Sequence, residues 1–344
     1  MFKINKISNY EIAHYYSKEI SIYSKANIIY YKDCFRNIKI KLPIKYFESF
    51  VISFRILRRL FRLDKMNVFP TKSGLIILYR GFCYFYSFLD MNLHRKFKLR
   101  NCRNILHNAI LKCKNGNIYF GEYGSNYKYN KVPIYVSKDD GLSWDVCFEF
   151  KNKEIRHIHG IFEDIYTNSI WICTGDTDTE SKIIQTDYNF TSLNTIGTNS
   201  QNFRTCSLFF TEKYIYWNMD SHISNSYSVI YDRVTKTFEK KFNFPGPVIY
   251  TKKFSNNNYM ATTSQEIGPA VTDNKVHLYY SSDFINWDHI YSFDHDGFNK
   301  KFFKFGLITF SEGNQNLDDF IIFGEAIKLY DGKLIHCSII NKIF

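Results

Sequence analysis

The chain has little of what loosens a protein. Its 344 residues include only 6 Pro and 16 Gly, and no Ser- or Pro-rich tract interrupts them. Long linkers and disorder are therefore excluded. The eight cysteines, at 34, 83, 102, 113, 147, 173, 206 and 337, form no CxxC pair. Several, such as Cys147 and Cys173, sit inside apolar runs, which predicts buried free thiols in a reducing compartment. No stretch reaches the roughly 18 uncharged apolar residues of a membrane span. Met1 to Lys6 lead into polar sequence without an apolar signal core, so a cytoplasmic location is expected. No RNA- or DNA-reading motif occurs, and nucleic acid is not an expected partner.

What is abundant is aromatic residues and positive charge. The chain is 19% aromatic, with 27 Tyr and 33 Phe. Aromatic and β-branched enrichment favours strands, and a large core can be buried. Lys and Arg total 45 against 33 Asp and Glu, a formal charge of +12. That balance suits an anionic partner, acidic lipid or acidic glycan, and equally a solubilising surface.

Short strands are predicted over residues 18–43, followed by a helix from about Tyr46 to Lys65. Arg55, Arg58, Arg59 and Arg62 fall at helical spacing on one side, with Phe47, Phe50, Val51, Phe54, Leu57 and Phe61 opposite. Two readings stand. The apolar side docks on the body of the protein, or the helix makes a peripheral contact with an anionic membrane.

From about residue 70 a repeat sets in. Strand-like runs end in an acid at Glu122, Asp176, Asp220, Glu266 and Glu325. Each is followed by a second strand ending near Ser137, Thr186, Tyr231, Ser281 or Tyr330, roughly 45–50 residues apart. That period is the size of a four-stranded propeller blade, which cannot bury both faces alone. Five blades are visible from residue 103 onward, and Gly74 to Leu99 makes a sixth.

One turn in this repeat is especially regular: Ser137-Lys138-Asp139-Asp140-Gly141-Leu142-Ser143-Trp144, between two apolar runs. Gly141 supplies a positive-φ position, Asp139 bonds nearby amides, and Trp144 folds under the turn. Ser281-Ser282-Asp283-Phe284-Ile285-Asn286-Trp287 repeats it without the glycine, and Thr186 to Thr191 echoes it more faintly. The pattern resembles the Asp-box of sialidase-like β-propellers. Together with the period, the resemblance implies an all-β, six-bladed β-propeller over 69–344. Residues 1–68 would be an N-terminal extension whose strands close the ring. Sialidases of that superfamily carry an Arg-Ile-Pro-type motif, which this chain lacks; Leu78-Tyr79-Arg80-Gly81 has no proline. The resemblance thus leaves the substrate open.

In a propeller the start of each first strand lies beside the end of the second, so the polar groups of both should converge at the mouth of the channel. The first-strand set is Arg103, His107, Arg156, His157, His159, Gln201 and Arg204. The second-strand set is the acids, Glu122, Asp176, Asp220 and Glu266 among them. His157 and His159, two apart on a strand, face the same way, with Arg156 to the other side. They read as metal ligands joined by Asp176 or Asp178, as acid/base groups, or as structural hydrogen-bonding residues. Gly175 to Glu180 holds three carboxylates, which suit glycoside hydrolysis, a cation or a simple turn. Tyr123 beside Glu122 echoes a sialidase nucleophile pair.

The expected function is a protein acting on or binding a glycan, an acidic one by charge. His157, His159, Asp176, Asp178 and Glu122 are the catalytic candidates for hydrolase or lyase chemistry. Arg103, His107, Arg156, Gln201, Arg204, Asp220 and Glu266 are the binding candidates, and no metal or cofactor is assigned. The alternative is a non-catalytic glycan- or protein-binding propeller in polysaccharide assembly inside the cell.

Overall fold

A computed structural model describes residues 1–46, 48–107 and 109–340. The chain divides into two compact units, Lys65–Lys241 and Met1–Asp64 with Phe242–Phe344. Seven four-stranded antiparallel sheets occur among the described residues, so the blades number seven and the expected six is corrected.

Four blades belong to the first unit. They are built from Met66–Pro70, Gly74–Tyr79, Phe82–Ser87 and Leu93–Lys98, then Leu111–Lys112, Ile118–Gly121, Val132–Ser137 and Asp145–Phe150. The third is His157–Asp164, Ser169–Gly175, Ile183–Thr186 and Leu193–Gly197, and the fourth Phe209–Phe210, Tyr214–Asn218, Ser226–Asp232 and Phe238–Phe244. Middle strands such as Gly74–Tyr79 and Ser169–Gly175 are buried throughout, because neighbouring sheets cover both faces. Fourth strands such as Phe238–Phe244 carry charge on an exposed edge, here Glu239, Lys240 and Lys241, which discourages further strand pairing. Apolar cores fill the spaces between consecutive sheets; one gathers Trp171, Cys173, Leu208, Trp217 and Val229. Each such large side chain contributes about 1.5–3 kcal/mol on burial.

The other unit holds three blades. Ile12–Tyr16, Ser21–Lys25, Ile28–Lys32 and Asn37–Lys41 form one complete sheet. This is the blade that the sequence reading treats as an extension. Val248–Lys253, Tyr259–Thr263, Lys275–Ser281 and Asp288–Asp294 form the next. The last combines Leu307–Phe310, Phe320–Glu325 and Leu334–Ile339 with Phe2–Ser8, whose Phe2 lies opposite Ile339 and Ser8 opposite Leu334. It is this N-terminal strand, not residues 18–43, that completes a blade begun near the other end of the chain.

The single helix expected over 46–65 is two short ones, Glu48–Ser53 and Arg55–Phe61, broken at an extended Phe54. Phe47 lies outside the described residues. Three arginines of the stripe, Arg55, Arg58 and Arg59, point inward, and Arg62 is exposed. Arg58 is 4% exposed and pairs with Glu11; Arg59 reaches Asp296 at 2.5 Å, and Arg55 binds Asp64 at 2.5 Å and Asp331 at 3.0 Å. Phe50, Phe54 and Phe61 stand exposed instead, Phe50 by 68%. Buried guanidinium groups need carboxylate partners, and Glu11, Asp64, Asp296 and Asp331 supply them. No helix among the described residues is long and apolar enough to cross a membrane.

The Asp-box-like turns form as the residues dictate. Ser143 N donates to Asp139 Oδ1 at 2.8 Å, Gly141 N to Ser137 Oγ at 2.8 Å and Trp144 Nε1 to Gly141 O at 3.2 Å. In the second turn Phe284 takes the glycine's place at φ 65°, and its buried ring packs edge-on against Tyr259. That packing offsets the cost of left-handed backbone in a bulky residue.

Candidate functional site

Among the sequence-predicted residues, His157, His159, Asp176, Arg156, Arg204 and Asp220 come together. Their positions follow from the blade repeat. His157 opens the first strand of its blade and lies opposite Gly175 on the second, so the residue after Gly175, Asp176, emerges beside it. The two imidazoles share a face, as alternation predicts, with ring centroids 5.0 Å apart. Gly175 makes room for them: a Cβ there would stand 2.4 Å from His159 Cε1. Arg156 departs from the expected orientation. It precedes the strand and escapes its alternation, so its guanidinium turns to the same site and reaches Asp176 Oδ2 at 3.4 Å.

Each histidine is fixed through Nδ1, His157 on Gly124 O at 2.8 Å and His159 on Thr205 O at 3.1 Å. Their Nε2 atoms face one another at 3.1 Å. Asp176 Oδ1 lies 3.3 Å from His157 Nε2 and 3.4 Å from His159 Nε2. Burial pushes the Asp176 carboxyl up, but hydrogen bonds and charge from both imidazoles outweigh it and hold it well below the usual carboxylate range. Arg204 Nη2 stands 3.4 Å from Asp176 Oδ1 and 3.6 Å from Asp220 Oδ2.

The three carboxylates of the 175–180 loop divide their work. Glu180 is a turn clamp, accepting from the backbone N–H of Asp176 at 2.9 Å and of Thr177 at 3.1 Å. Asp178 is exposed and accepts from Gln201 Nε2 at 3.0 Å. Only Asp176 joins the histidines. Gln201 also donates to Asp176 O at 3.1 Å, which links this cluster to a neighbouring open cleft of about 520 Å³.

The remaining candidates lie elsewhere. Glu122 is buried and accepts from Arg100 N at 2.6 Å, Asn101 N at 2.7 Å and Tyr135 Oη at 2.9 Å. Arg103 is exposed, and its carbonyl accepts from Gly81 N at 2.7 Å. His107 is half-buried in the same lead-in segment. Glu266 belongs to the other compact unit.

Several participants escape sequence reasoning. Tyr129 accepts from Arg156 Nη2 at 2.7 Å and lies under its guanidinium at 5.3 Å; in a chain with 27 tyrosines nothing marks it. The carbonyls of Gly124 and Thr205 carry no side-chain signal. Cys206 donates to Asp220 Oδ2 at 3.4 Å, and burial followed by the Asp220 charge pushes its thiol well up. Two donor sets have the spacing to hold a metal ion among the described residues: His157, His159 and Asp176, and His159, Cys206 and Asp220. In the second the Cys206 S–H donates its hydrogen bond to Asp220 Oδ2, which leaves the first as the better set.

No family model and no curated protein sequence matches the chain. Solved structures share its fold. The extracellular domain of BT4673 from B. thetaiotaomicron matches with a TM-score of 0.55 and 12% identity, over 99% of this chain and 40% of that one. The chain thus spans well under half of that domain. YCF48, solved with D1 peptide bound, matches with a TM-score of 0.57 and 9% identity over 98% of this chain and 97% of its own. U3-55K gives 0.53 and 9% over 98% of each. At such identities the likeness shows the fold alone, a seven-bladed β-propeller, and the sialidase-like identification is corrected: no family model supports it and the blade number differs. The Asp-box-like turn is a local solution for joining two strands.

Proposed function

We propose that the chain is a glycan-binding propeller protein whose binding site is the cleft beside Gln201. The observation that carries this reading is the chemistry of the lining: Asp178, held by Gln201, with Asn202 and Asn225 beside the ring of Tyr227. Sugars offer vicinal hydroxyls to carboxylates and amides, and an apolar C–H face to an aromatic ring. Lys240 Nζ stands 5.1 Å from the Tyr227 ring centroid, placed to meet an acidic sugar.

Binding fits better than turnover. A general base must come within about 2.6–3.2 Å of the proton it takes. His157 and His159 are buried, spend Nδ1 on carbonyls and turn Nε2 toward each other. The Glu122 carboxyl is consumed by backbone amides and Tyr135.

The test is calorimetric titration with neutral and uronate-containing oligosaccharides. The expected result is binding that weakens about tenfold in Tyr227→Ala, and a preference for acidic sugars that disappears in Lys240→Ala, about the worth of one aromatic or charged contact. The sugars should be recovered intact. Absence of binding at millimolar concentrations, or indifference to Tyr227→Ala, defeats the proposal. New reducing ends or unsaturated products replace it with an enzymatic one.

A further inference from the structure

We propose that His157, His159 and Asp176 bind one first-row divalent metal ion of the zinc type. This is independent of the glycan reading and begins with the proton on each ring. A backbone carbonyl only accepts, so the Nδ1 facing Gly124 O at 2.8 Å and the Nδ1 facing Thr205 O at 3.1 Å both carry hydrogen. In its neutral form each imidazole then presents a bare lone pair at Nε2; without an ion, a ring that carries a proton there gives Asp176 the hydrogen bond and charge that hold its carboxyl down. The two Nε2 atoms stand 3.1 Å apart, with Asp176 Oδ1 at 3.3 and 3.4 Å from them. Asp176 Oδ1 also has Arg204 Nη2 at 3.4 Å, but the two Nε2 lone pairs remain aimed at each other and at that oxygen, and they call for a cation between the three.

The spacing separates a metal ion from a proton. A charged imidazolium–carboxylate hydrogen bond closes to about 2.7–2.9 Å, shorter than any edge of this triangle. A tetrahedral ion with bonds of about 2.0–2.1 Å holds its ligand atoms about 3.3–3.4 Å apart. The histidines are also supported as metal ligands commonly are, with the distal ring nitrogen donated to a backbone carbonyl that fixes tautomer and orientation. Arg156 Nη1 takes the other carboxylate oxygen, Asp176 Oδ2, at 3.4 Å.

Charge and access agree. The guanidinium groups of Arg156 and Arg204 are outnumbered by the carboxylates of Asp176, Glu180 and Asp220, so a dication does not enter a net-positive site. The Asp176 side chain is 26% exposed against 5% and 1% for His157 and His159, which makes it the open side. Any further ligands to the ion would come from there. Two imidazole nitrogens and one carboxylate suit zinc, nickel, copper or iron over magnesium and calcium.

The experiment uses the full, untagged chain after chelator treatment, dialysed against micromolar Zn²⁺ and separately against Mg²⁺, with bound metal counted by mass spectrometry. One zinc per chain and no magnesium are expected, and Co²⁺ should give visible d–d absorption. His159→Ala and Asp176→Asn should each weaken zinc more than about 100-fold, beyond what loss of a supporting group costs. Asp176→Asn keeps the shape of the side chain, and a thermal melt verifies its fold. His277 and His289, whose ring nitrogens lie 3.2 Å apart in the other unit, provide the control for casual surface binding. The His277→Ala/His289→Ala variant should bind zinc as the natural chain does. Substoichiometric zinc in the natural chain, zinc bound as tightly by Asp176→Asn or His159→Ala as by the natural chain, or zinc lost in the His277/His289 variant overturns the proposal.

Discussion

Ile118–Gly121 and Ser169–Gly175 are the second strands of consecutive blades, and each runs from its glycine into an acid, Glu122 and Asp176. Glu122 is 1% exposed and accepts from uncharged donors, two backbone amides and the Tyr135 hydroxyl. Asp176 is a quarter exposed and meets two imidazoles and two guanidinium groups. The glycines show where the difference originates. A Cβ on Gly121 would lie 2.4 Å from Ile158 Cδ1, and one on Gly175 2.4 Å from His159 Cε1. Adjacent residues of one strand fill the two spaces, an aliphatic side chain in one and an imidazole in the other. The blade repeat supplies a position for an acid; the strand that packs against it decides whether that acid closes a loop or joins a reactive cluster.

The largest effect that would break this contrast lies at Glu122. Glu122→Ala leaves two part-buried amides and the buried Tyr135 hydroxyl unanswered and should cost about 3–5 kcal/mol in urea unfolding, while zinc affinity stays within about twofold. A loss under about 1 kcal/mol, or a collapse of zinc binding in the folded variant, would remove the distinction between a structural and a functional acid.

The glycines sharpen it. Gly121→Ala and Gly175→Ala both force a contact at 2.4 Å, and each should cost about 1–3 kcal/mol by overpacking. Only Gly175→Ala displaces an imidazole, so only that variant should also lose zinc, by about tenfold or more. Equal zinc affinity in the two variants would mean that His159 is not held where the contrast requires.

The site was legible in the sequence to the extent that strand period places residues. Acids ending second strands and polar groups opening first strands had to approach one another, and His157, His159, Asp176, Arg204 and Asp220 do. Which acid joins the histidines is not legible, because Glu122 is claimed by the backbone N–H groups of Arg100 and Asn101, and amides carry no side-chain signal. The missing blade has a similar cause. In Ile12–Lys41 the second strand ends in Lys25, with no acid and no Asp-box-like turn to punctuate it. The arginine stripe was seen but its direction was not. An amphipathic pattern does not say which side is inside, and the partners of Arg59 and Arg55, Asp296 and Asp331, lie 237 and 276 residues away. The Asp-box-like turn is legible as a turn but misleads as a family mark, since the bonds that shape it, from Gly141, Ser143 and Trp144, close within eight residues, while Asp140 reaches out to Ser73 and Lys112.

The smallest effect is in the acid limb of stability. Asp176 is held below the usual carboxylate range in the folded chain, against about 3.9 unfolded. A carboxylate depressed by folding stabilises fully above its unfolded value, and that contribution is lost as pH falls through the unfolded value toward the folded one. With chelator present, urea midpoints of the natural chain should therefore drop more steeply from about pH 5 to pH 2 than those of Asp176→Asn, and run parallel above pH 5. The same scan on Glu122→Gln distinguishes the two acids by level: that variant should lie below the natural chain across the whole range, because an amide cannot accept from both backbone N–H groups as the carboxyl does. If Asp176→Asn instead shows a uniform drop with no change in slope, Asp176 is a second loop-closing acid, and the contrast with Glu122 is one of exposure alone.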